Sequence, residues 1–126
     1  MNKEQYNNLS RHILDAAIAV HSEMGPGLLE SVYELCLVKE LKLRHIIVDY
    51  QVIVPLFYKG EELDKVFRID ILVEKEIIIE LKAVDIILPV HEAQIISYLK
   101  LTGKKLGFLI NFNVPLLKDG FKKICK

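Results

Sequence analysis

Apolar residues in the first part of the chain recur at the i, i+3, i+4 spacing of an amphipathic helix. The residues that share this helical face are Leu9, Ile13, Ala16, Ala17 and Val20. Because Gly25-Pro26-Gly27 follows at once, we predict that this helix ends abruptly there. A second predicted helix has its first turn at Glu30, where a carboxylate suits the helix dipole. Its predicted apolar face consists of Leu29, Val32, Tyr33, Cys36, Leu37 and Leu41.

The pattern then changes to the alternation that is typical of β-strands. Residues 46–58 alternate loosely and contain several β-branched side chains, and Lys59-Gly60 predicts a turn after them. Residues 66–73 alternate cleanly, and residues 76–82 form the next predicted strand after a short polar turn.

A third helix and a last strand complete the pattern. Pro89 suits a first helical turn, so we expect this helix to run through Leu101 and to close at Gly103. The last strand covers residues 106–112, and a short further element falls within residues 116–124. The predicted order is α-α-β-β-β-α-β, which indicates a mixed central sheet flanked by helices in an α/β or α+β fold. At 126 residues, a single domain spanning 1–126 is expected.

The number of residues in the loop around positions 74–76, odd or even, decides which side chains of the two flanking strands share a face. Directly paired residues of an antiparallel hairpin project to the same face. A two-residue loop would pair Asp70 with Ile79 and would send the Asp70 and Glu80 carboxyls to opposite faces. We therefore predict the odd register, in which Asp70 pairs with Glu80 through a three-residue loop, a five-residue loop or a bulge. The apolar residues that this register places on one face are Phe67, Ile69, Ile71, Val73, Ile77, Ile79 and Leu81.

Charge is balanced overall but unevenly distributed. The chain carries 17 basic and 17 acidic side chains, which excludes a uniformly basic nucleic-acid binder of the histone type. Residues 1–99 hold 10 basic and 16 acidic groups, a net charge of −6, whereas residues 100–126 hold seven basic and one acidic, a net charge of +6. This asymmetry suggests two separate charged surfaces, a cation site and an anion-facing tail, but composition alone favours a solvated lysine-rich surface.

Composition also limits the class of protein. Hydrophobic residues make up 52% of the chain, which excludes a disordered polypeptide. Two cysteines are too few for a disulfide framework, and we expect Cys36 to be a small buried hydrophobe. The start of the chain is polar, and no apolar stretch approaches the ~18 residues of a membrane span. We therefore expect a soluble, cytoplasmic protein.

Asp70, Glu80 and Lys82 are the leading candidates for chemistry. Glu80 and Lys82 are two residues apart in a strand and so share a face, and the odd register brings Asp70 opposite Glu80. Two converging carboxylates suit Mg²⁺ or Mn²⁺, and a neighbouring lysine can orient a water and stabilise charge on a phosphate. Taken alone, the Glu-x-Lys triplet is explained more simply by a solvated sheet face with an ordinary ion pair.

Other polar residues carry weaker signals when each is viewed singly. Glu30 can simply complement the helix dipole, and Gln94 with Tyr98 is an i, i+4 pair that can form a polar helix flank. His91 could assist at a site, but an isolated histidine is usually a surface residue. Cys36 and His91 give no nucleophile or zinc pattern, since no C-x-x-C or H-x-x-x-H spacing exists.

The ordered set is more informative than its members. In chain order it comprises Gly27-Leu28-Leu29-Glu30-Ser31-Val32-Tyr33, Asp70, Glu80-Leu81-Lys82, and Gln94 with Tyr98. This order, which begins with G-x-x-E-x-x-Y, resembles the GxxExxY protein family, a branch of the PD-(D/E)xK restriction-endonuclease-like superfamily. The resemblance runs from about His12 to Ile124. Ile69 stands where the superfamily name has a proline before the acidic residue.

The resemblance implies a restriction-endonuclease-like core with a metal-dependent site. It implies that Asp70 and Glu80 hold a divalent metal, Mg²⁺ or Mn²⁺, and that Glu30 supports the metal or its water from the helix. It also implies that Lys82 is the catalytic lysine and that Gln94 lines the site. Nucleic acid is the expected partner, DNA rather than RNA. The basic residues that could then contact phosphates are Lys104, Lys105, Lys118, Lys122 and Lys123.

Two functions remain open. The favoured one is a metal-dependent nuclease that hydrolyses phosphodiester bonds, and the alternative is a non-catalytic nucleic-acid or protein interaction module that retains the nuclease fold. In either case a domain of this size leaves little room for substrate recognition, so specificity is expected from a homo-oligomer or a partner protein. Without metal, Asp70 or Glu80 should titrate above the ordinary range of about 3.9–4.3, because two converging carboxylates repel.

Overall fold

The alternating segments of the chain form one mixed five-stranded sheet, and the helical segments pack on its two faces. The computed structural model describes residues Met1–Lys126. The helices are α1 (Lys3–Met24), α2 (Glu30–Leu43) and α3 (Pro89–Thr102). The strands are β1 (Val48–Tyr58), β2 (Glu61–Val73), β3 (Ile77–Lys82), β4 (Leu106–Asn111) and β5 (Phe121–Cys125). This order confirms the predicted α-α-β-β-β-α-β, and the short element at the end is a 3₁₀ turn (Leu117–Gly120) followed by β5.

The strands lie in the sheet in their chain order, β1-β2-β3-β4-β5. The pairs β1–β2, β2–β3 and β4–β5 are antiparallel, and β3–β4 is parallel. A parallel pair needs a crossover connection, and α3 provides it. This crossover brings α3 over the end of β3, where the candidate residues lie.

Local sequence sets the ends of the helices. Asn2 caps α1 through a reciprocal pair of hydrogen bonds with Gln5, and the helix stops at Gly25, which has φ +71°. Pro89 occupies the first turn of α3, and Gly103 closes that helix in the left-handed conformation, as predicted.

Two hydrophobic clusters lie on the two faces of the sheet. The larger one packs α1 and α2 against Ile77, Ile79 and Leu81 of β3. The smaller one packs α3 against Ile78, which projects to the opposite face because strand side chains alternate. β3 is therefore covered on both sides, and the polar residues near its end lie beside two helices.

The prediction of a single apolar face along β2 is wrong in its first half. Phe67 and Ile69 pack with the α3 cluster, whereas Ile71 and Val73 belong to the α1–α2 cluster. The reason is an irregularity at Asp70: the ladder pairs the residues on either side of it with β1 but contains no pair at Asp70 itself. Such an irregularity reverses the alternation of the strand.

Two smaller expectations also need correction. The helical spacing predicts Leu29 on the apolar face of α2, but Leu29 precedes the helix as its N-cap and is 74% exposed. Cys36 is only half-buried, although it does pack against the larger cluster. None of the three helices is long and apolar enough to cross a membrane.

Candidate active site

The turn between β2 and β3 sets the register of the two strands that carry the candidate carboxyls. Val73 pairs with Ile77, which confirms the predicted odd register with residues 74–76 as the loop. Glu74 and Lys75 adopt positive φ values of 51° and 58°, and the Glu76 N–H donates to the Val73 carbonyl at 2.9 Å. Two successive positive φ values are typical of a hairpin turn that matches the twist of the strands.

The β2–β3 ladder ends just before the candidate carboxyls. Its last pair is Ile71 with Ile79, and beyond this point the strands are joined through side chains. The Asp70 N–H donates to Glu80 Oε1 at 3.1 Å, and the Leu81 N–H donates to Asp70 Oδ2 at 2.9 Å. Each carboxyl thus takes the place of a ladder hydrogen bond and is held against the opposite strand. One oxygen of each carboxyl remains free of these backbone bonds.

Glu80 is the buried member of the pair, with only 2% of its surface exposed. Burial raises the pKa of Glu80 to about 9, and the charge of Asp70 adds to the rise. The N–H of Asp70 and the Lys82 ammonium oppose the shift in pKa but do not cancel it. The expectation that one carboxyl titrates above its ordinary range is therefore confirmed for Glu80. In the metal-free protein at neutral pH, Glu80 keeps its proton.

Lys82 is held by a side chain of α3. Its Nζ donates to Gln94 Oε1 at 2.9 Å, and Gln94 Nε2 donates in turn to the Tyr98 hydroxyl at 3.3 Å. Burial raises the pKa of Tyr98, and the charges of Glu80 and Asp70 add to that rise. Lys82, Gln94 and Tyr98 form a hydrogen-bonded chain that begins beside the carboxyl pair.

Tyr33 fixes the backbone that leads into α2. Its side chain is fully buried and stacks on Phe112 with ring centroids 4.5 Å apart. The Tyr33 hydroxyl donates to the Gly25 carbonyl at 2.6 Å and accepts from the Leu28 N–H at 3.1 Å. The loop before Glu30 is therefore tied to the core by one tyrosine.

Glu30 and Asp70 face a common cavity. It has a volume of about 160 Å³ and is lined by Glu30, Ser31, Glu34, Gln51, Asp70 and Leu81. We call it the carboxylate cavity. Glu30 is exposed, and its Oε2 accepts a long hydrogen bond of 3.4 Å from the Ala83 N–H.

Sequence reasoning missed two residues of the carboxylate cavity, Glu34 and Gln51. Gln51 Nε2 donates to Glu34 Oε1 at 2.6 Å, and Gln51 has a positive φ of 51° opposite Asp70. Burial raises the pKa of Glu34, and the nearby charge of Asp70 adds to the rise. Glu34 follows Glu30 by four residues on α2 and so shares its face, a signal that was available in the sequence. Gln51 had no comparable signal.

The two lysines of β5, which belong to the basic segment at the end of the chain, do not form one continuous surface. Lys122 and Lys123 are neighbours in β5 and therefore project to opposite faces of the sheet. Lys123 pairs with Phe108, which belongs to the α1–α2 cluster, whereas Lys122 forms an ion pair with Glu92 of α3.

The chemistry of the carboxyl pair fits a hard divalent cation. Mg²⁺ is commonly held by one or two carboxylates, with waters and phosphate oxygens completing its coordination. Neither Asp70 nor Glu80 forms a salt bridge with a lysine or arginine, so a cation would provide the positive charge that the pair lacks. No three His, Cys, Asp or Glu side chains converge into a complete metal cluster, so the protein supplies at most part of a coordination shell.

Comparison with known proteins identifies the family. The family model of the PD-(D/E)XK nuclease superfamily matches residues 7–124. No curated protein and no solved structure matches the chain. The mixed five-stranded sheet with three helices is consistent with the restriction-endonuclease-like fold of that superfamily. Since the match covers nearly the whole sequence and the carboxyl pair lies next to Lys82, this chain belongs to the PD-(D/E)XK nuclease superfamily.

Proposed function

We propose that this chain is a metal-dependent nuclease of the GxxExxY branch that hydrolyses phosphodiester bonds in nucleic acid. The observation that supports this function most strongly is the bracing of Asp70 and Glu80 across the two strands, beside a lysine that Gln94 holds. A purely structural ion pair would join Lys82 directly to Glu80. Here Lys82 donates to Gln94 instead, and neither carboxyl forms a salt bridge.

The residues that would hold the metal are Asp70 and Glu80, and Glu30 would support the metal through a coordinated water, since no third side chain converges on the pair. Mg²⁺ or Mn²⁺ is the expected ion, because the donors are carboxylate oxygens. When bound, such a cation polarises the phosphate and offsets the charge that develops on it. Glu80 must lose its proton to act as a ligand, and its raised pKa makes that loss part of binding.

Lys82 has the catalytic role among the protein's own groups. Its ammonium group orients the attacking water and stabilises negative charge on the phosphate as the bond breaks. Gln94 acts as a positioning residue, because its Oε1 accepts from Lys82 and limits where the ammonium can point. Tyr98 restrains the Gln94 amide from the other side.

We propose DNA rather than RNA as the nucleic acid. Recognition of a particular sequence or structure would come from a second copy of the chain or from a partner protein. The lysines of β5 support this division of roles, since Lys122 and Lys123 lie on different faces and present no single basic strip to a duplex.

A panel of labelled single- and double-stranded DNA and RNA, incubated with Mg²⁺ or Mn²⁺, tests the function. We expect cleavage that stops in EDTA and that falls at least about 100-fold in Lys82→Ala and Asp70→Ala. Lys65→Ala, which removes an exposed lysine of β2, is the matched control and should cleave like the unaltered chain. Equal metal-dependent cleavage by all four proteins would exclude this site. No cleavage of any substrate, together with no metal binding, would favour the interaction module.

A further inference from the structure

A second cavity opens beside Lys82, on the side of the site that faces α3. It has a volume of about 430 Å³ and is lined by Lys82, Val90, His91, Ala93, Gln94 and Ser97. We call it the donor cavity, because each of its four polar side chains, Lys82, His91, Gln94 and Ser97, can donate a hydrogen bond. None of its lining residues is acidic.

The contrast with the carboxylate cavity is one of charge. The carboxylate cavity is lined by three acidic side chains and no basic one, and the donor cavity by a lysine and no acidic one. Asp70 lines the first and Lys82 lines the second, and the charges of both act on the Glu80 carboxyl. The site is therefore divided into a region that attracts cations and a region that attracts anions.

His91 is held so that one ring nitrogen remains available to the donor cavity. The Leu88 N–H donates to His91 Nδ1 at 2.9 Å, so Nδ1 acts as an acceptor. In a neutral imidazole with Nδ1 as acceptor, the ring proton is on Nε2. No protein group bonds Nε2, and the hydrogen bond from Leu88 fixes the orientation of the ring.

We propose that the donor cavity binds a phosphate group of the nucleic-acid substrate next to the scissile bond, and that His91 Nε2–H donates to a non-bridging oxygen of that phosphate. This role deepens the nuclease function proposed above and rests on it. Lys82 borders the same cavity, so an occupied phosphate site would also align the substrate with the catalytic lysine. His91 is then a substrate-binding residue in addition to a cap of α3.

Two variants of His91 separate substrate binding from helix capping. Glutamine and glutamate at this position both offer a side-chain oxygen that can accept from the Leu88 N–H, as in a capping box. Only glutamine also keeps an N–H donor. We therefore expect His91→Gln and His91→Glu to melt near the temperature of the unaltered protein, but to differ in their affinity for nucleic acid.

The measurement is fluorescence anisotropy of a labelled short DNA, in single- and double-stranded form, with Ca²⁺ in place of Mg²⁺ and again in EDTA. We expect His91→Glu to raise Kd about tenfold or more and His91→Gln to raise it only a few-fold, because a hydrogen bond to a charged group is lost only in the first. Ile96→Glu places the same charge on an exposed position of α3 outside the cavity and should change Kd by less than about threefold.

Each outcome bears on the phosphate site separately from catalysis. Equal Kd values for His91→Glu and His91→Gln, or an equally large loss in Ile96→Glu, would overturn the role of His91 even if Lys82-dependent cleavage is present. A selective loss in His91→Glu would support it even if the protein cleaves none of the panel. If the unaltered chain binds no nucleic acid, both the phosphate site and the nuclease function are wrong.

Discussion

Glu80 accepts a hydrogen bond from the backbone N–H of Asp70 at 3.1 Å, although their strands no longer form a regular ladder at this point. The Asp70 carboxylate in turn accepts a hydrogen bond from the backbone N–H of Leu81, the residue after Glu80. Two carboxyls are thus fixed close together by the backbone of the opposite strand. Burial and the Asp70 charge then raise the pKa of Glu80 to about 9, so that the metal-free site carries a proton at neutral pH.

The free energy of unfolding should depend on pH, because folded Glu80 retains a proton at neutral pH. Between the ordinary Glu pKa of 4.5 and the folded value of about 9, the folded chain binds a proton that the unfolded chain lacks. The contribution of protonated Glu80 to the free energy of unfolding is therefore fully present below about pH 4.5. This contribution is lost as pH rises toward 9, with a slope of up to about 1.4 kcal/mol per pH unit. Urea denaturation in EDTA from pH 5 to pH 9 measures this slope.

Glu80→Gln provides the comparison, because glutamine resembles the protonated carboxyl at every pH. We expect the variant to lose less stability than the unaltered protein as pH rises, and to be the more stable of the two at pH 9. Parallel stability curves for the two proteins would show that Glu80 ionises normally in the folded state.

Metal binding should release the proton that Glu80 retains. A cation needs the ionised carboxylate, so its affinity should rise with pH below the pKa of Glu80, by up to about tenfold per pH unit. Calorimetric titration of Mg²⁺ or Mn²⁺ in two buffers of different ionisation enthalpy gives the number of protons released. We expect about one proton per ion at pH 7, and release of none would be incompatible with Glu80 as a ligand.

The register of β2 against β3 could be predicted from the sequence because two independent requirements lead to the same pairing. Aligning the apolar residues after Ile71 and bringing Asp70 to the side of Glu80 both require an odd number of loop residues, and the structure has three. The prediction of a single apolar face failed before Asp70, where the position of the carboxyl no longer required it. Ile69 turns to the other face, because β2 is irregular at Asp70, opposite the unusual backbone of Gln51.

The contact between Gln94 and Lys82 should affect turnover more than affinity. Gln94→Leu removes the acceptor of Lys82 Nζ and leaves the ammonium group less restrained. We expect kcat to fall about tenfold with a smaller change in KM, because positioning of the lysine matters most in the transition state. Ile96→Leu, a conservative change at an exposed position of α3, is the control. A loss confined to KM would assign Gln94 to substrate binding instead.

Tyr33→Phe should test whether the loop before α2 depends on one hydroxyl group. The substitution leaves the stacking on Phe112 but removes both hydrogen bonds to the Gly25–Leu28 loop. We expect a loss of about 1–3 kcal/mol in the free energy of unfolding, because partly buried backbone groups lose their partner. Chemical denaturation measures it, with the exposed Tyr58→Phe as control. Equal stability of both variants would mean that the loop does not need this contact.

Gly120→Ala should perturb the support of the site from the neighbouring strand β4, where Asn111 pairs with Lys82. An added Cβ would collide with the backbone carbonyl of Asn111, whose side chain holds the loop after Lys82 through Val84. We expect a loss of about 1–3 kcal/mol or more, measured as a lower urea midpoint. Gly107→Ala should cost less, because its closest contact, at 2.8 Å, is the end of the Ile95 side chain, which can move. The reverse order of the two variants would contradict this account.

The parts of the site that the sequence did not predict depend on contacts between distant segments. Gln51 meets Glu34 across 17 positions of the chain, and the bond between Leu88 and His91 becomes informative only once the cavity beside Lys82 is known. Helical spacing could have linked Glu34 to Glu30 but could not show that both face Asp70. Motif spacing identifies residues that share an element, whereas packing between elements decides which cavity they line.

The most direct test of the central claim is to locate the metal. Crystals of the chain grown or soaked with Mn²⁺ would be measured for anomalous scattering, with Asp70→Ala crystals treated in the same way. The account predicts one strong peak within coordination distance of the Asp70 and Glu80 carboxyl oxygens that accept no backbone hydrogen bond, and no such peak in Asp70→Ala. A peak at other side chains, or none at the carboxyl pair under saturating Mn²⁺, would contradict the claim that these two residues form the metal site.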